Sequence, residues 1–73
     1  MIEVRLFAGL RQGRQKVYQI EAASIKNVQD IMDMLNIQRS EVNILLINGF
    51  HQKPETEVKA EDIVSLFPAV GGG

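Results

Sequence analysis

The sequence has 73 residues, of which 45% are hydrophobic and 23% are charged, and its formal net charge at pH 7 is −1. This length allows one domain, and the balance of apolar and charged residues is typical of a globular chain rather than a disordered one. A near-neutral charge without a basic stripe argues against nucleic-acid binding, which requires neutralisation of phosphates.

The rarity of reactive side chains narrows the range of functions that the chain could perform. The chain has no cysteine, which excludes disulfides, thiolate metal ligands and a cysteine nucleophile, and its single histidine, His51, cannot form a metal site alone. We therefore predict that the chain is not an enzyme by itself. No apolar run approaches the roughly 20 residues that span a bilayer, and residues 1–5 lack the layout of a secretion signal, so we expect a cytoplasmic protein without membrane contact.

The first part of the chain predicts a β-hairpin. Residues 2–7 alternate between the two faces of a half-buried strand, which places Phe7 on the solvent side with the charged residues. Residues 16–21 form the second strand. The core-facing side chains of the first strand are Ile2, Val4 and Leu6.

Residues 8–15 are interpreted as the turn of this hairpin, with Leu10 anchored in the core. The basic side chains of this region are interpreted as a solvated cluster, able to steer an acidic partner. They are Arg11, Arg14 and Lys16.

A helix is predicted to begin after Asn27, a good N-cap, with the charge of Asp30 in its first turn. We expect a length of about 9–12 residues. Met32 and Met34 are interpreted as core filler. The apolar stripe at helical spacing consists of Val28, Ile31, Met32 and Leu35.

The second half of the chain predicts three strands. Residues 42–47 are a near-continuous apolar strand, the Asn48-Gly49 pair predicts a hairpin turn, and residues 50–52 form a short return strand. His51 is interpreted as a surface residue. Residues 53–62 form a loop, with room for one tight helical turn, and residues 63–67 form the last strand, which Pro68 ends.

These elements predict an α+β fold of two layers, because one amphipathic helix covers one face of a sheet. The other face meets water or a partner. Alternation places Phe67 on that open face, as it does Phe7. If the first and last strands are neighbours, the two rings form an exposed patch, whereas in the alternative interpretation the preceding loop covers them.

The chain ends in three glycines, residues 71–73, directly after an apolar segment. Glycine packs nothing and loses the most entropy when ordered, so this run has no evident role in the fold. The extended segment from Phe67 to Gly73 reaches about 20 Å. We predict a domain over residues 1–67 and a flexible tail over residues 68–73 that presents the carboxylate of Gly73. A frayed terminus or a vector-derived end is the alternative.

Three stretches of the chain carry a resemblance to a known family. They read Val-Arg-Leu-Phe-Ala-Gly-Leu-Arg over residues 4–11, Ile-Asn-Gly over residues 47–49, and Asp-Ile-Val-Ser-Leu-Phe-Pro-Ala-Val-Gly-Gly-Gly over residues 62–73. Together they resemble the MoaD/ThiS sulfur carriers, and the Phe-Ala-x-Leu-Arg and Phe-Pro motifs are most similar to MoaD, the small subunit of molybdopterin synthase. The resemblance covers essentially the whole chain. It implies the β-grasp, or ubiquitin-like, fold: a mixed sheet of four to five strands with one helix on one face.

The resemblance implies a carrier role in a sulfur-transfer cycle. A ubiquitin-activating-type adenylyltransferase, similar to MoeB or ThiF, uses ATP-Mg to convert the carboxylate of Gly73 to an acyl-adenylate. Sulfide or persulfide displaces AMP and leaves a thiocarboxylate, which donates sulfur to a pterin precursor in a large subunit similar to MoaE. The chain itself binds no cofactor. The implied reactive end is Gly72 and Gly73, and the implied partner contacts are Phe7, Phe67, Pro68, Val70 and Gly71.

Other functions are also compatible with a chain that ends in a reactive glycine. The sulfur could serve thiamine, amino-acid or tRNA thiolation pathways, or Gly73 could be joined to lysines of target proteins as in a ubiquitin-like modifier. An inert interaction module is a third reading. The sequence also departs from the family at two places: residues 60–62 replace a Gly-containing turn, which strains φ at Glu61 unless the turn differs, and His51 lies near a position that is commonly apolar.

Overall fold

The computed structural model describes residues 1–69 of the chain. Within them, five strands form one mixed sheet in the order β2-β1-β5-β3-β4. The central pair, β1 and β5, is parallel, and the remaining pairs are antiparallel. The elements are β1 (Ile2–Leu6), β2 (Val17–Ile20), α1 (Val28–Met34), β3 (Val42–Ile47), β4 (Phe50–His51) and β5 (Ile63–Pro68), with 3-10 turns at Ala8–Arg11, Ala22–Ser24 and Arg39–Glu41.

The core fills the space between α1 and one face of the sheet. All three inward side chains of β1, and both of β5, have no exposed surface, which confirms the predicted alternation. Leu10, at 2% exposure, anchors the first turn in the core, as predicted. The other core residues are Ile20, Ile25, Val28, Ile31, Met32, Ile37, Leu45, Ile47 and Val58.

Helix α1 begins where the sequence predicts. The Asn27 side chain accepts a hydrogen bond from the backbone N–H of Asp30 (3.0 Å), and the Asp30 carboxylate accepts one from the backbone N–H of Asn27 (3.3 Å). This capping box satisfies two N–H groups that lack helical partners.

The predicted length of roughly 9–12 residues was wrong. The helix has seven residues, because Asn36 adopts a left-handed conformation (φ 58°) that ends it. The backbone N–H of Ile37 then bonds to the carbonyl of Met32 (2.8 Å), as in a Schellman motif. Met34 lies off the apolar stripe in the last turn and is 53% exposed, so its prediction as core filler was also wrong.

Arg14 ties the first turn to the end of α1. Its guanidinium donates hydrogen bonds to the carbonyls of Leu35 (3.2 Å), Asn36 (3.0 Å) and Leu10 (3.1 Å). The first two carbonyls belong to the C-terminal end of the helix, where unsatisfied oxygens carry partial negative charge. The interpretation of the basic residues as a solvated cluster is therefore wrong for Arg14, which has a structural role.

We expect Arg14→Met to lower the free energy of unfolding by about 1–2 kcal/mol, because the variant keeps most of the apolar stem and loses three hydrogen bonds that the charged guanidinium donates to carbonyls. Urea unfolding followed by circular dichroism measures the loss. Lys16→Met is the matched control, since this exposed side chain makes no hydrogen bond within residues 1–69, and it should change stability by less than about 0.5 kcal/mol. Equal losses in the two variants would contradict the capping role.

Two turns in the second half of the chain adopt left-handed backbone conformations. Asn48 and Gly49 have φ of 52° and 88° between β3 and β4, which confirms the predicted hairpin. β4 ends at His51, one residue before the predicted end. In the turn before β5, Glu61 has φ of 73°, the strained value expected for a residue in place of a glycine.

We expect Glu61→Gly to raise the free energy of unfolding by about 0.5–1 kcal/mol, because it relieves a left-handed φ. The change removes an ion pair to the Met1 amino group, but both partners are solvent-exposed and such pairs contribute little. Thermal unfolding tests the gain. Lys59→Gly, in the same turn at an ordinary φ, should lower stability instead, and a loss in both variants would refute the strain at Glu61.

β5 extends one residue further than predicted. Pro68 pairs with Val42 of β3, so the first residue of the predicted tail belongs to the sheet. Proline is tolerated there because the strand and its hydrogen-bond ladder end at this residue. A bulge at Asn43 shifts the register between Val42 and Ile44. The predicted tail residues 70–73 lie outside the described part of the chain.

Candidate functional site

The face of the sheet opposite α1 has no second layer over it within residues 1–69. Its side chains come from alternate positions of the three central strands, and none of them is fully buried. Among the strands of residues 1–69, the only carboxylate side chain is that of Glu3. The face is otherwise largely apolar; its residues are Glu3, Arg5 and the adjoining Phe7, then Ile63, Ser65 and Phe67, then Ile44 and Leu46.

Phe7 and Phe67 form a stacked pair on this face, with ring centroids 4.2 Å apart and an interplanar angle of 10°. The parallel register of β1 and β5 sets Leu6 beside Leu66, so the next residues of both strands are also neighbours. This confirms that the two rings lie together. Each ring is half-buried rather than fully exposed, because each covers one face of the other.

Arg11 completes a row with these two rings. Its guanidinium carbon lies 5.4 Å from the centroid of the Phe7 ring, and its Nε–H donates to the carbonyl of Leu6 (2.8 Å). Phe67 covers one face of the Phe7 ring, and the Arg11 guanidinium therefore lies over the opposite face of that ring. The order across the surface is therefore a cation, two stacked rings and then Ile44, which pairs with Phe67 across β3 and β5.

A pocket of about 510 Å³ opens beside Phe67, where the described chain ends. Its wall is apolar except for Asn43, the extra residue of the β3 bulge. Ala69, the last described residue, is part of the wall. The lining residues are Ala8, Gly9, Asn43, Ile44, Phe67, Pro68 and Ala69.

Sequence reasoning missed this pocket. Residues 8 and 9 looked like an ordinary turn, and Ile44 lies in an apolar run whose inward and outward sides are equally hydrophobic. The bulge at Asn43 changes which side chains of β3 face outward, and no local pattern indicates a bulge. The position of Ile44 beside Phe67 depends on the pairing of β3 with β5, which is a long-range contact.

The charges of the open face leave one cation without a carboxylate. Hydrogen bonds from Arg5, the larger cause, and from Gln19 hold the pKa of Glu3 below its ordinary value, so Glu3 is ionised at neutral pH and offsets the charge of Arg5. Among residues 1–69, Arg11 has no carboxylate within ion-pair distance. The surface beside Phe7 is therefore locally cationic.

Several predicted residues take no part in this site. His51 is exposed on the edge strand β4, and the described residues contain no cluster of three or more histidine and carboxylate side chains that could hold a metal. Val70, Gly71, Gly72 and Gly73 lie outside the described part of the chain. No helix within residues 1–69 combines the length and hydropathy needed to cross a bilayer.

Solved structures with this fold come from ubiquitin-like proteins. SAMP1 from Haloferax volcanii aligns with a TM-score of 0.74 and 23% identity over 99% of this chain and 98% of its own. The putative molybdopterin converting factor subunit 1 from Pyrococcus furiosus aligns with a TM-score of 0.73 and 24% identity over 94% of this chain and 97% of its own. These likenesses show the β-grasp fold that the sequence predicts.

A third similar structure is a complex of subunits 1 and 2 of the molybdopterin-converting factor from Helicobacter pylori, with a TM-score of 0.66 and 22% identity over 99% of this chain and 97% of that one. No curated protein matches the sequence. The family model of the ThiS family matches residues 4–73, a span that includes the stacked rings, the pocket wall and the terminal glycines. This match covers nearly the whole chain, and the chain therefore belongs to the ThiS family.

Proposed function

We propose that this protein is a sulfur carrier whose Gly73 carboxylate is adenylated and then converted to a thiocarboxylate. A carboxylate is a poor electrophile, and adenylation supplies a leaving group. The carboxylate oxygen attacks the α-phosphorus of ATP and releases pyrophosphate; a sulfide sulfur then attacks the acyl carbon and releases AMP. With a persulfide donor, a second thiol must cleave the S–S bond before the thiocarboxylate is free.

The observation that carries this proposal is the apolar row at the root of the C-terminal segment. Phe7, Phe67 and Ile44 form a surface that precedes the glycines in the chain, while residues 1–69 contain no cluster of three or more His, Asp or Glu side chains that could hold a metal. An apolar surface beside a terminus suits a partner that captures the domain and draws the terminus into its own active site. ATP-Mg binding and charge stabilisation are then the work of the partner, a ThiF- or MoeB-like adenylyltransferase.

Glycines at positions 72 and 73 suit a narrow active site. Gly73 leaves the acyl carbon unhindered, and Gly72 lets the backbone approach a partner closely. In this role the chain is a carrier, or at most the non-catalytic subunit of a sulfurtransferase. We further propose molybdopterin synthesis as the destination of the sulfur, with a MoaE-like large subunit as acceptor. The Phe-Ala-x-Leu-Arg and Phe-Pro motifs support this branch.

Conjugation to proteins is the second candidate, since the fold is also that of small archaeal modifier protein 1 from Haloferax volcanii. Both functions share the acyl-adenylate and differ in the nucleophile, which is sulfur in a carrier and a lysine amine in a modifier.

Reconstitution separates the candidates. The chain is incubated with the adenylyltransferase of its source organism, ATP-Mg and sulfide, and the C-terminal peptide is analysed by mass spectrometry. We expect one oxygen of Gly73 to be replaced by sulfur. Isopeptide-linked Gly73 on other proteins in cell extracts, without any thiocarboxylate, would favour the modifier. A terminus that stays unmodified in both experiments would contradict both functions.

A further inference from the structure

Asn48 and Gly49, at the tip of the hairpin between β3 and β4, have a reactivity that the proposed function does not use. The backbone nitrogen of the residue after an asparagine can attack the Cγ atom of that asparagine and displace ammonia. Glycine favours this attack, because it has no side chain to shield its nitrogen or to restrict its backbone. Both residues are exposed, so water reaches them. The other asparagines, Asn27, Asn36 and Asn43, each precede a β-branched residue, which restricts the same attack.

The native hydrogen bonds of Asn48 hold its side chain away from this reaction. Its Nδ2–H donates to Oδ1 of Asp62 (2.9 Å), and its Oδ1 accepts from the backbone N–H of Ile63 (2.9 Å). The backbone N–H of Asn48 also donates to the carbonyl of Ile63 (2.8 Å). The side-chain amide is therefore fixed against the start of β5, and it must give up both of its own hydrogen bonds before it can turn to the Gly49 nitrogen.

We propose that Asn48 is a site of spontaneous deamidation, and that its hydrogen bonds to Asp62 and Ile63 restrain the reaction while the protein is folded. The reactant is water, and neither an enzyme nor a cofactor is required. The change is one-way, because ammonia is lost and the product cannot restore the contact with Asp62. This inference goes beyond the proposed function and does not depend on the chemistry at Gly73.

The reaction balances without an oxidant or a reductant. The Gly49 nitrogen loses its proton and forms a bond to Cγ of Asn48, while the bond from Cγ to Nδ2 breaks and Nδ2 leaves with that proton as ammonia. Water then opens the cyclic imide that results. Cleavage between the nitrogen and the side-chain carbonyl carbon gives aspartate. Cleavage between the nitrogen and the main-chain carbonyl carbon gives isoaspartate, in which the chain continues through the side chain.

Either product loosens the junction between the hairpin and β5. Aspartate in place of Asn48 sets a carboxylate oxygen against Oδ1 of Asp62, where the amide now donates a hydrogen bond, and two carboxylates in contact repel each other. Asp62 is not free to turn away, because its Oδ2 accepts from the backbone N–H of Lys59 (2.9 Å). Isoaspartate adds a CH2 group to the backbone of the turn, which disturbs the register of β3 and β4.

The rate experiment incubates the intact chain in mildly alkaline buffer, folded or unfolded in guanidinium chloride, and follows each asparagine by peptide mass spectrometry. In the unfolded chain we expect Asn48 to react at least about tenfold faster than Asn36, which precedes a β-branched residue. Asn36 is the internal control, since it is also exposed and left-handed in the folded protein. Folding should slow the reaction of Asn48 at least about tenfold, because two side-chain hydrogen bonds must open first.

Asp62→Ala should accelerate the reaction of Asn48 in the folded chain at least about fivefold, because one restraining hydrogen bond is lost. Asp33→Ala is the matched control, since it makes the same charge change and removes one side-chain hydrogen bond, from Gln29 of α1. Ile31→Val controls for global stability, because it loosens the core without removing a contact of Asn48. Both controls should change the rate by less than about twofold.

Melting temperatures test the contact between the carboxylates. Asn48→Asp, which copies the product with a normal backbone, should lower the melting temperature by about 4–8 °C. Asn48→Asp combined with Asp62→Asn exchanges the two groups, so an amide again faces a carboxylate. This double variant should recover at least about half of the loss.

Three results would overturn the inference. Equal rates for Asn48 and Asn36 in the unfolded chain would show that Asn48 is not a modification site. Equal rates for Asn48 in the folded and unfolded chains, or equal effects of Asp62→Ala and Asp33→Ala, would exclude the restraint by hydrogen bonds. A double variant that melts no higher than Asn48→Asp would exclude repulsion from Asp62 as the cause of the loosened junction.

Discussion

Deletion of Gly73 is expected to lower the rate of adenylation at least about 100-fold without changing the stability of the domain. The deletion shortens the extended reach of the chain by about 3.5 Å, and misplacement of a reacting group by about 1 Å can already cost about 100-fold in rate. The core should be unaffected, because every core residue of the described part of the chain lies between Ile2 and Leu66.

The measurement is pyrophosphate exchange into ATP, catalysed by the adenylyltransferase in the presence of each chain, with urea unfolding as the stability check. Gly73→Ala is the matched variant, since it keeps the reach and adds only a Cβ beside the reacting carbon. We expect it to lose less activity than the deletion. If the shortened chain keeps half of the wild-type rate of adenylation or more, Gly73 is not the residue whose carboxylate must be adenylated.

Substitution of two adjacent residues of β5 should separate stability from partner binding. Leu66 is fully buried in the core, whereas Phe67 lies on the open face and stacks on Phe7. We expect Leu66→Ala to lower the free energy of unfolding by about 2–5 kcal/mol, because it removes a core side chain and leaves a cavity. In a domain of this size such a loss is a large part of the total.

Phe67→Ala should lower the free energy of unfolding less than Leu66→Ala does, by about 1–2 kcal/mol, because the ring is only half-buried and its loss leaves no enclosed cavity. The KM of the adenylyltransferase for the Phe67→Ala chain in the exchange reaction should rise at least about tenfold, because the Phe67 side chain is central to the apolar surface proposed to bind the partner. Urea unfolding and exchange kinetics on both variants test the separation. A Phe67→Ala chain with wild-type KM would remove the stacked rings from the surface proposed to bind the partner.

Much of the fold follows from local sequence. The alternation in β1 and β5 is enough to sort Leu66 inward and Phe67 outward, because a strand has a period of two. The Asn27 cap and the Asn48-Gly49 turn are equally local, since each depends on the conformational preferences of one or two residues. The stacking of Phe7 on Phe67 needed one further assumption, that the strands are neighbours.

Long-range contacts account for what the sequence does not show. Arg14 reaches the carbonyls of Leu35 and Asn36 across more than twenty positions of chain, and nothing in its own turn indicates these partners. The end of α1 was misplaced because an apolar residue, Leu35, continues the helical stripe just before Asn36 turns the chain away. The pocket depends on the bulge at Asn43 and on the pairing of β3 with β5.

The chemical state of the terminus in living cells tests the carrier function most directly. The protein is isolated from its native cells under mild conditions, and its C-terminal peptide is sequenced by mass spectrometry. We predict a fraction of molecules in which sulfur replaces one oxygen of the Gly73 carboxylate, and this fraction should vanish when the adenylyltransferase is deleted. A plain carboxylate on every molecule, or sulfur attached elsewhere on the chain, would contradict the proposed sulfur transfer.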